Sequence, residues 1–301
     1  MNITTNEILC FGEVLWDRLP SGAKPGGAPM NVALHLNAIG LNAAIASSVG
    51  NDDGGKQLID FLQNSGVNTS LIQTDKNLPT SEVLVHLDEK NNASYEICEP
   101  VAWDNIQLND ELVKKAQNSG LIIYGSLAAR NQTTRETLLK LLDNDAVKLI
   151  DVNLRQPYDK QDVLELLLAK SDIVKLNDDE LGVFAGWNGI EGKTEEELIK
   201  WFVQHYKVEM LCVTRGHKGA AMYHENTFYE HPGFKVNAVD TVGAGDAFLA
   251  GLVAAFMQKK PAAEAITFAC ATGAFVASKA GATPEYDMVE IQAIMNQRIA
   301  E

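Results

Sequence analysis

Cysteine is scarce and scattered. The chain has 301 residues and four cysteines: Cys10, Cys98, Cys212 and Cys270. No C-x-x-C pair exists, so structural zinc and dithiol redox chemistry lack a ligand set. Three of the four fall inside apolar runs, and all four read as free thiols of a reducing compartment. Basic excess is missing too. Lys and Arg number 25 against 40 Asp and Glu, a formal net charge of -15. That balance gives no global attraction to nucleic acid or to an anionic membrane. Any polyanionic ligand must be held by a local set of donors. No apolar stretch reaches membrane-spanning length, and the opening "MNITTNEILCFGEVLW" has neither a basic n-region nor a long apolar h-region. A cytoplasmic protein is expected, with no nucleic-acid or membrane partner. Repeats and low-complexity linkers are absent. What is present is 46% hydrophobic, enough for a substantial core. The length suits one large α/β domain with a small appendage, or two domains.

Short apolar runs alternate with helical patterns. "EILCFGEVL", "AAIASSVG", "GLIIYGS", "VKLIDVN", "DIVKLN" and "VEMLCVTRG" read as buried strands. "PMNVALHLNAIG" reads as a helix from a Pro to Gly40, and "GGKQLIDFLQNSG" as a helix closed by Gly66. Strands alternating with helices predict a mostly parallel sheet covered on both faces. Two segments break the rhythm. In "GEVLWDRLPSGAKPGGAP" a strand runs into a Gly/Pro loop. In "TSEVLVHLDEKNNASYEICE" two strand-like runs flank the turn-rich "DEKNNA", as in a hairpin. Such a hairpin reads as a small sheet or flap over one end of the domain. The last third, with "GDAFLAGLVAAFMQ" and "PAAEAITFACATGAFVASKAG", reads as closely packed small-residue helices.

Three nucleotide motifs nearly fit. "GNDDGGKQ" has Walker A spacing to its Lys, but Gln57 stands where a Ser or Thr would ligate Mg²⁺. Asp52 and Asp53 would also oppose a phosphate there, and a loop capping a helix near Gly54 explains the stretch better. "EGKT" has Trp187 at the required upstream Gly. "GAGDAF" has Phe248 at the third Gly of a dinucleotide fingerprint, and no strand–helix–strand follows it.

"DTVGAGDAF", Asp240 to Phe248, places an acid directly after a small-residue turn at a helix start. Locally a helix N-cap and a catalytic acid fit equally well. The rest of the chain weighs on the choice. "GGAPMNVALHLNAIG" and "DTVGAGDAFLAGL", in this order and at this separation, resemble the two signatures of the ribokinase-like (phosphofructokinase B) carbohydrate kinases. The resemblance covers essentially the whole chain. It implies a three-layer α/β/α sandwich with a mostly parallel sheet. It also implies a single kinase domain over 1–301 with a discontinuous β lid from about 12–28 and 80–104.

The resemblance further implies ATP-dependent phosphorylation of a sugar hydroxyl, with Mg²⁺ and in some relatives K⁺. Asp246 is then the general base. Gly243, Ala244 and Gly245 form an anion hole at a helix N-terminus, which suits the chemistry of a developing phosphoryl charge. Asp17, Gly26, Gly27 and Asn31 match the sugar-contacting positions. Arg155, in "DVNLRQPY", matches a position near the transferring phosphate or an acidic sugar group. Asn177 and Glu180 of "NDDE" match the element that organises Mg²⁺ and phosphate through water. Thr214, Gly216 and Gly219 of "TRGHKGA" match the element under the nucleotide, although Arg215 stands where relatives are usually apolar. Asp240, with a loop like "SKAGATP", matches a monovalent-cation site. Relatives pair their flaps between subunits, which makes a homodimer an expectation.

"PGGAPMN" and "GEVLWDRLPSG" resemble fructokinases more than ribokinases, so D-fructose to fructose 6-phosphate is the expected reaction. Ribose and 2-keto-3-deoxygluconate are the alternative sugars. Glu96 and Glu99, placed where relatives often carry a flap Arg, read as disfavouring an acidic sugar. A non-catalytic sugar sensor on the same fold and an NAD enzyme are the other classes. Intact Asp246, Gly243, Gly245 and Glu180 argue against the first, and the failed dinucleotide fingerprint against the second.

Overall fold

A computed structural model describes residues 3–19, 22–87 and 93–297. The first half of the chain forms β1 (Glu7–Phe11), β2 (Leu15–Leu19), β3 (Gly22–Gly26), α1 (Ala28–Ala38), β4 (Asn42–Gly50), α2 (Asp53–Asn64), β5 (Ile72–Asp75), β6 (Ser81–Leu87), β7 (Ala93–Ile97), α3 (Asp110–Asn118), β8 (Leu121–Gly125), α4 (Gln132–Leu141) and β9 (Val147–Asp151). The second half forms α5 (Gln161–Leu168), β10 (Ile173–Asn177), α6 (Asp178–Trp187), α7 (Glu195–Tyr206), β11 (Met210–Thr214), β12 (Ala220–His224), β13 (Thr227–His231), α8 (Ala244–Met257), α9 (Ala262–Ala277) and α10 (Met288–Met295).

The main sheet has the order β13-β12-β11-β10-β9-β8-β1-β4-β5. Strands β5 to β11 in that order run parallel, and β12 and β13 add an antiparallel edge. Period-two alternation divides each central strand between two cores. Ile8 and Cys10 pack with residues of α1, α8 and α9. Leu9 and Phe11 pack with residues of α3 to α7 and with Trp103. Both faces are thus covered, which is why these strands read as continuous apolar runs. The result is the three-layer α/β/α sandwich that the sequence implies.

Close helix packing explains the small residues near the C-terminus. A Cβ on Gly251 of α8 would meet Thr272 Oγ1 of α9 at 2.7 Å. Cys10, Cys212 and Cys270 are buried free thiols. Among the described residues no helix is long and apolar enough to cross a membrane.

The structure departs from the strand expectations in three places. "EILCFGEVL" is not one strand. Gly12 sits at φ 147, and a Cβ there would stand 2.7 Å from Pro29 Cγ. The chain turns there out of the main sheet and into β2. Strands β5, β12 and β13 were not anticipated. β5 is four residues, "IQTD", on the sheet edge. β12 and β13 are joined by Glu225 and Asn226, both at positive φ (49 and 59). That backbone gives the tight hairpin without the glycine that normally announces it.

The degraded Walker sequence is a helix cap. Asp52 accepts the Gly55 amide at 2.8 Å. It also accepts the Thr80 hydroxyl at 2.6 Å and the Thr80 amide at 2.8 Å. Both carboxylate oxygens are used, and the loop pins the chain entering β6.

A second sheet has the order β3-β2-β6-β7. Its β6–β7 pairing is antiparallel, as the hairpin pattern predicts; the turn "DEKNNA" lies largely outside the described residues. Trp16 Nε1 donates to Gly54 O at 3.0 Å, tying this sheet to the start of α2.

Candidate functional site

Parallel α/β sheets collect ligands beyond the carboxyl ends of their strands. Here β1, β9, β10 and β11 end in Glu13, Asp151, Asn177 and Thr214, on or just past the last strand residue. The N-termini of α1, α6 and α8 converge on the same end.

Asp246 occupies the first turn of α8. Gly243 caps that helix in the left-handed region (φ 77) with no side-chain cap. Its missing Cβ lets the backbone lie directly against Ala282 O, so no other residue fits without displacing the 279–284 loop. The Ala244 amide donates to Thr241 O at 3.2 Å. Among the described residues, the Gly243, Gly245 and Asp246 amides have no partner. The amides this helix end leaves free are therefore those of Gly243, Gly245 and Asp246, while that of Ala244 is engaged. Asp246 Oδ2 accepts Asn31 Nδ2 of α1 at 2.8 Å. Burial, reinforced by the Asp151 charge, pushes the Asp246 carboxyl up to about 7; the Asn31 hydrogen bond and the Lys175 charge pull the other way.

Lys175 and Asp151 are functional candidates that the motif search passes over. Asp151↔Lys175 is a cross-strand pair of β9 and β10. Lys175 Nζ donates to both Asp151 oxygens at 2.9 Å, and the two side chains are 8% and 5% exposed. An ideal Cβ on Gly245 would stand 3.4 Å from Lys175 Nζ, so the ammonium lies against the turn that opens α8. Burial disfavours its charge, but Asp151 outweighs that and raises the Lys175 pKa. A cue existed in the sequence. A Lys and an Asp interrupt buried strands, "DIVKLN" and "KLIDVN", where charge is costly unless paired.

Glu180 and Asn177 form a capping box at the start of α6. Glu180 accepts the Leu154 amide at 2.7 Å and the Asn177 amide at 2.8 Å. Burial and the Asp151 charge raise its pKa against those amides and Lys175. Both oxygens already hold amide donors, so this carboxylate fits a metal through water rather than directly. Among the described residues no cluster of three or more His, Cys, Asp or Glu could hold a metal.

Asp17 lies on β2, with the Gly26 backbone against its carboxylate. Burial raises its pKa and the Arg155 charge lowers it. Arg155 also acts on Glu13, so its charge reaches the Asp17–Glu13 group. Gly27 (φ +118) lays its backbone on Glu13 O and opens α1.

Register decides which lid residues share the face of Asp17. Asp17 pairs with Lys24 on β3 and with Val83 on β6, and Val83 pairs with Ile97. Directly paired residues point to one side of a sheet. Arg18, Leu84 and Glu96 form the next row and so point to the other side. There Arg18 pairs with Glu82. Glu96 therefore does not share the Asp17 face, and its charge is no argument against an acidic sugar.

Thr214 ends β11 opposite Asn177, with its Oγ1 3.4 Å from Leu176 O. Gly216 (φ +57) begins the following turn. Gly219 (φ +80) packs against the His231–Gly233 backbone, where any side chain would collide. Arg215 is neutralised: it pairs with Glu195 at 2.7 Å and Glu230 at 3.4 Å. Asp240 accepts the Val242 amide at 3.0 Å and the Gly281 amide at 3.2 Å. It thereby joins the approach to α8 with the "SKAGATP" loop. Beneath that junction, His35 Nδ1 lies 2.9 Å from Tyr286 OH. Burial lowers the His35 pKa to about 4, so the ring is neutral.

This geometry can be set against known proteins. The pfkB family carbohydrate kinase model matches residues 21–287. Fructokinase-1 of Oryza sativa subsp. japonica is 30% identical, with 92% of this chain and 93% of that one covered. Among solved structures, an uncharacterized sugar kinase of Pyrococcus horikoshii in complex with ATP superposes with a TM-score of 0.79. It is 29% identical over 92% of this chain and 94% of that one. A fructokinase of Xylella fastidiosa with bound ATP gives a TM-score of 0.83 over 96% and 98% of the two chains; at 23% identity it speaks for the fold. With both sequence signatures, the ribokinase-like fold and most of the chain's length in agreement, this protein belongs to the pfkB family of carbohydrate kinases.

Proposed function

We propose that the protein transfers the γ-phosphoryl group of ATP to a hydroxyl of a neutral ketohexose, D-fructose, giving fructose 6-phosphate. One observation carries this. Asp246 brings a half-buried carboxylate, Asn31 and a helix end with free amides to a single point. A base beside an anion site is what phosphoryl transfer to a hydroxyl requires. Asp246 takes the proton of the attacking hydroxyl. The Gly243, Gly245 and Asp246 amides and the Lys175 ammonium face the charge that develops on the phosphoryl oxygens. Asp17, Asn31 and Arg155, with the Gly26 and Gly27 backbone, hold the sugar. Thr214, Gly216 and Gly219 shape the floor under the nucleotide. Mg²⁺, when bound, neutralises the β- and γ-phosphates, with Asn177 and Glu180 as its water-mediated contacts. Asp240 orients the 279–284 loop, whose carbonyls suit K⁺. The second sheet closes over the sugar as a lid on a single kinase domain.

Fructokinase relatives and the ATP complexes of the neighbours support this reading. A second acceptor, 2-keto-3-deoxygluconate, is favoured by one observation: Lys24 shares the ladder row of Asp17, so a cation adjoins the sugar face. A panel of D-fructose, D-ribose, 2-keto-3-deoxygluconate and other hexoses, with coupled ADP detection, tests both. The expected result is ADP release that depends on D-fructose. Preference for the acidic sugar would replace the acceptor, and no release with any sugar would reject the kinase reading.

A further inference from the structure

We propose that Glu13 is a sugar-binding residue of this site, its buried carboxylate accepting a hydroxyl of the acceptor other than the one that attacks. The proposal rests on the sugar-kinase reading and names a contact that reading does not include.

Glu13 follows β1 immediately after the Gly12 turn and is 3% exposed. Its Oε2 is buried and has no hydrogen-bond partner. Buried polar atoms are almost always paired, so such an orphan calls for an explanation. Its surroundings locate it. The charges of Arg155 and Asp151 act on Glu13, and Glu13 acts in turn on Asp246. The carboxylate therefore lies within the group formed by the base, the Lys175–Asp151 pair and the sugar-side arginine.

A structural role accounts for part of this. The amides of Glu13 itself and of Ala28 favour its charged form. Ala28 is the first residue of α1, whose Gly27 cap supplies no side chain. Glu13 thus completes the N-terminus of α1 from a distance. Capping does not satisfy Oε2, however. A second orphan adjoins Asp246: Asn31 Oδ1 is also buried without a donor, while Asn31 Nδ2 is committed to Asp246.

Two empty acceptors in the neighbourhood of one base define the chemistry of the missing partner. It must bring several O–H donors at once. A phosphate oxygen has no proton to give and would meet a carboxylate of like charge. A polyhydroxyl ligand satisfies both orphans while its attacking hydroxyl faces Asp246. The ring hydroxyls of a sugar are such a set.

The test compares wild type with Glu13→Gln and Glu13→Ala. D-Fructose binding is measured by calorimetry without nucleotide, KM is measured for fructose and for ATP, and melting temperature is measured without ligand. Replacing a charge-assisted hydrogen bond by a neutral one should weaken fructose binding and raise its KM about tenfold. ATP KM should stay within about twofold. A series of monodeoxy fructoses supplies the specific signature. One analogue should lose affinity in wild type and lose much less in Glu13→Gln, which has only a neutral hydrogen bond left to lose. If Glu13→Ala does not fold, Glu13→Gln with the deoxy series decides. Unchanged fructose affinity in Glu13→Gln, or equal losses for fructose and ATP with a lower melting temperature, overturns the proposal and leaves Glu13 as a cap of α1. A wild-type protein that binds no sugar overturns the kinase reading and the Glu13 contact together.

Discussion

Replacing Asp246 by Asn should lower activity and raise stability at once. The side chain keeps its shape, and its carbonyl oxygen can still accept Asn31 Nδ2, so the fold and nucleotide binding should persist. Turnover should fall by about 10²–10⁴, the usual contribution of a positioned acid or base. Stability moves oppositely for an electrostatic reason. The folded pKa of Asp246 is raised from 3.8 to about 7. Between those values the unfolded chain has released a proton that the folded protein retains, so stability falls as pH rises from about 4 to 7 and levels off above. The full displacement corresponds to roughly 4 kcal/mol. Asp246 keeps some contact with cleft water, which reduces this to about 2 kcal/mol. The Asn variant lacks that loss. Urea melts at pH 5 and pH 8 should show it gaining about 1 kcal/mol on wild type at the higher pH relative to the lower, since part of the loss is complete by pH 5. Wild-type kcat/KM should rise with pH and level off above about 7, as the base loses its proton. Near wild-type turnover in the variant would remove Asp246 as the base. Full loss of turnover with no relative gain at pH 8 would mean that the carboxyl is not strained by its surroundings, and that the electrostatic reasoning is wrong.

Asp17→Ala should raise fructose KM at least tenfold and change ATP KM little, because it removes a hydroxyl partner and leaves the helix-end donors intact; equal losses would contradict the division of the site. Lys175→Met should shift the acid limb of the pH–rate profile upward, since the Lys175 charge lowers the Asp246 pKa, and should also lower kcat. An unshifted limb would show that the ammonium does not act on the base. Hydrogen exchange of β6 and β7 should slow on adding fructose before any nucleotide, as expected of a lid that excludes water. Protection confined to residues 17–31 would instead make the second sheet a static appendage.

Much of the fold was legible because buried parallel strands and small-residue helices leave strong local patterns. β1, β4, β8, β9, β10 and β11 stand where apolar runs announced them. β5 and β13 were hidden because edge strands are half exposed and need no apolar run, and β12, although buried, offers only the short run Ala220 to Met222. The Gly12 break was hidden because the contact that requires a glycine there, with the ring of Pro29, is seventeen residues away in sequence. At the site, Asp246 and Asn31 were legible through their motifs, and the structure brings them to 2.8 Å. Lys175, Asp151 and Glu13 were not, because their significance lies in burial and in partners from other strands. Glu96 misled for a related reason: a one-residue step along β7 reverses the face, and local sequence does not say which face meets the sugar.

The central claim is that a hydroxyl activated by Asp246 attacks the γ-phosphorus of ATP. Following wild-type protein, Mg²⁺, ATP and D-fructose by ³¹P NMR tests it most directly. The expected spectrum shows loss of the γ-phosphate signal and growth of a sugar phosphomonoester in equal amount, with neither change in Asp246→Asn on the same timescale. Release of inorganic phosphate without a phosphomonoester, or a phosphomonoester formed as fast by Asp246→Asn, would contradict it.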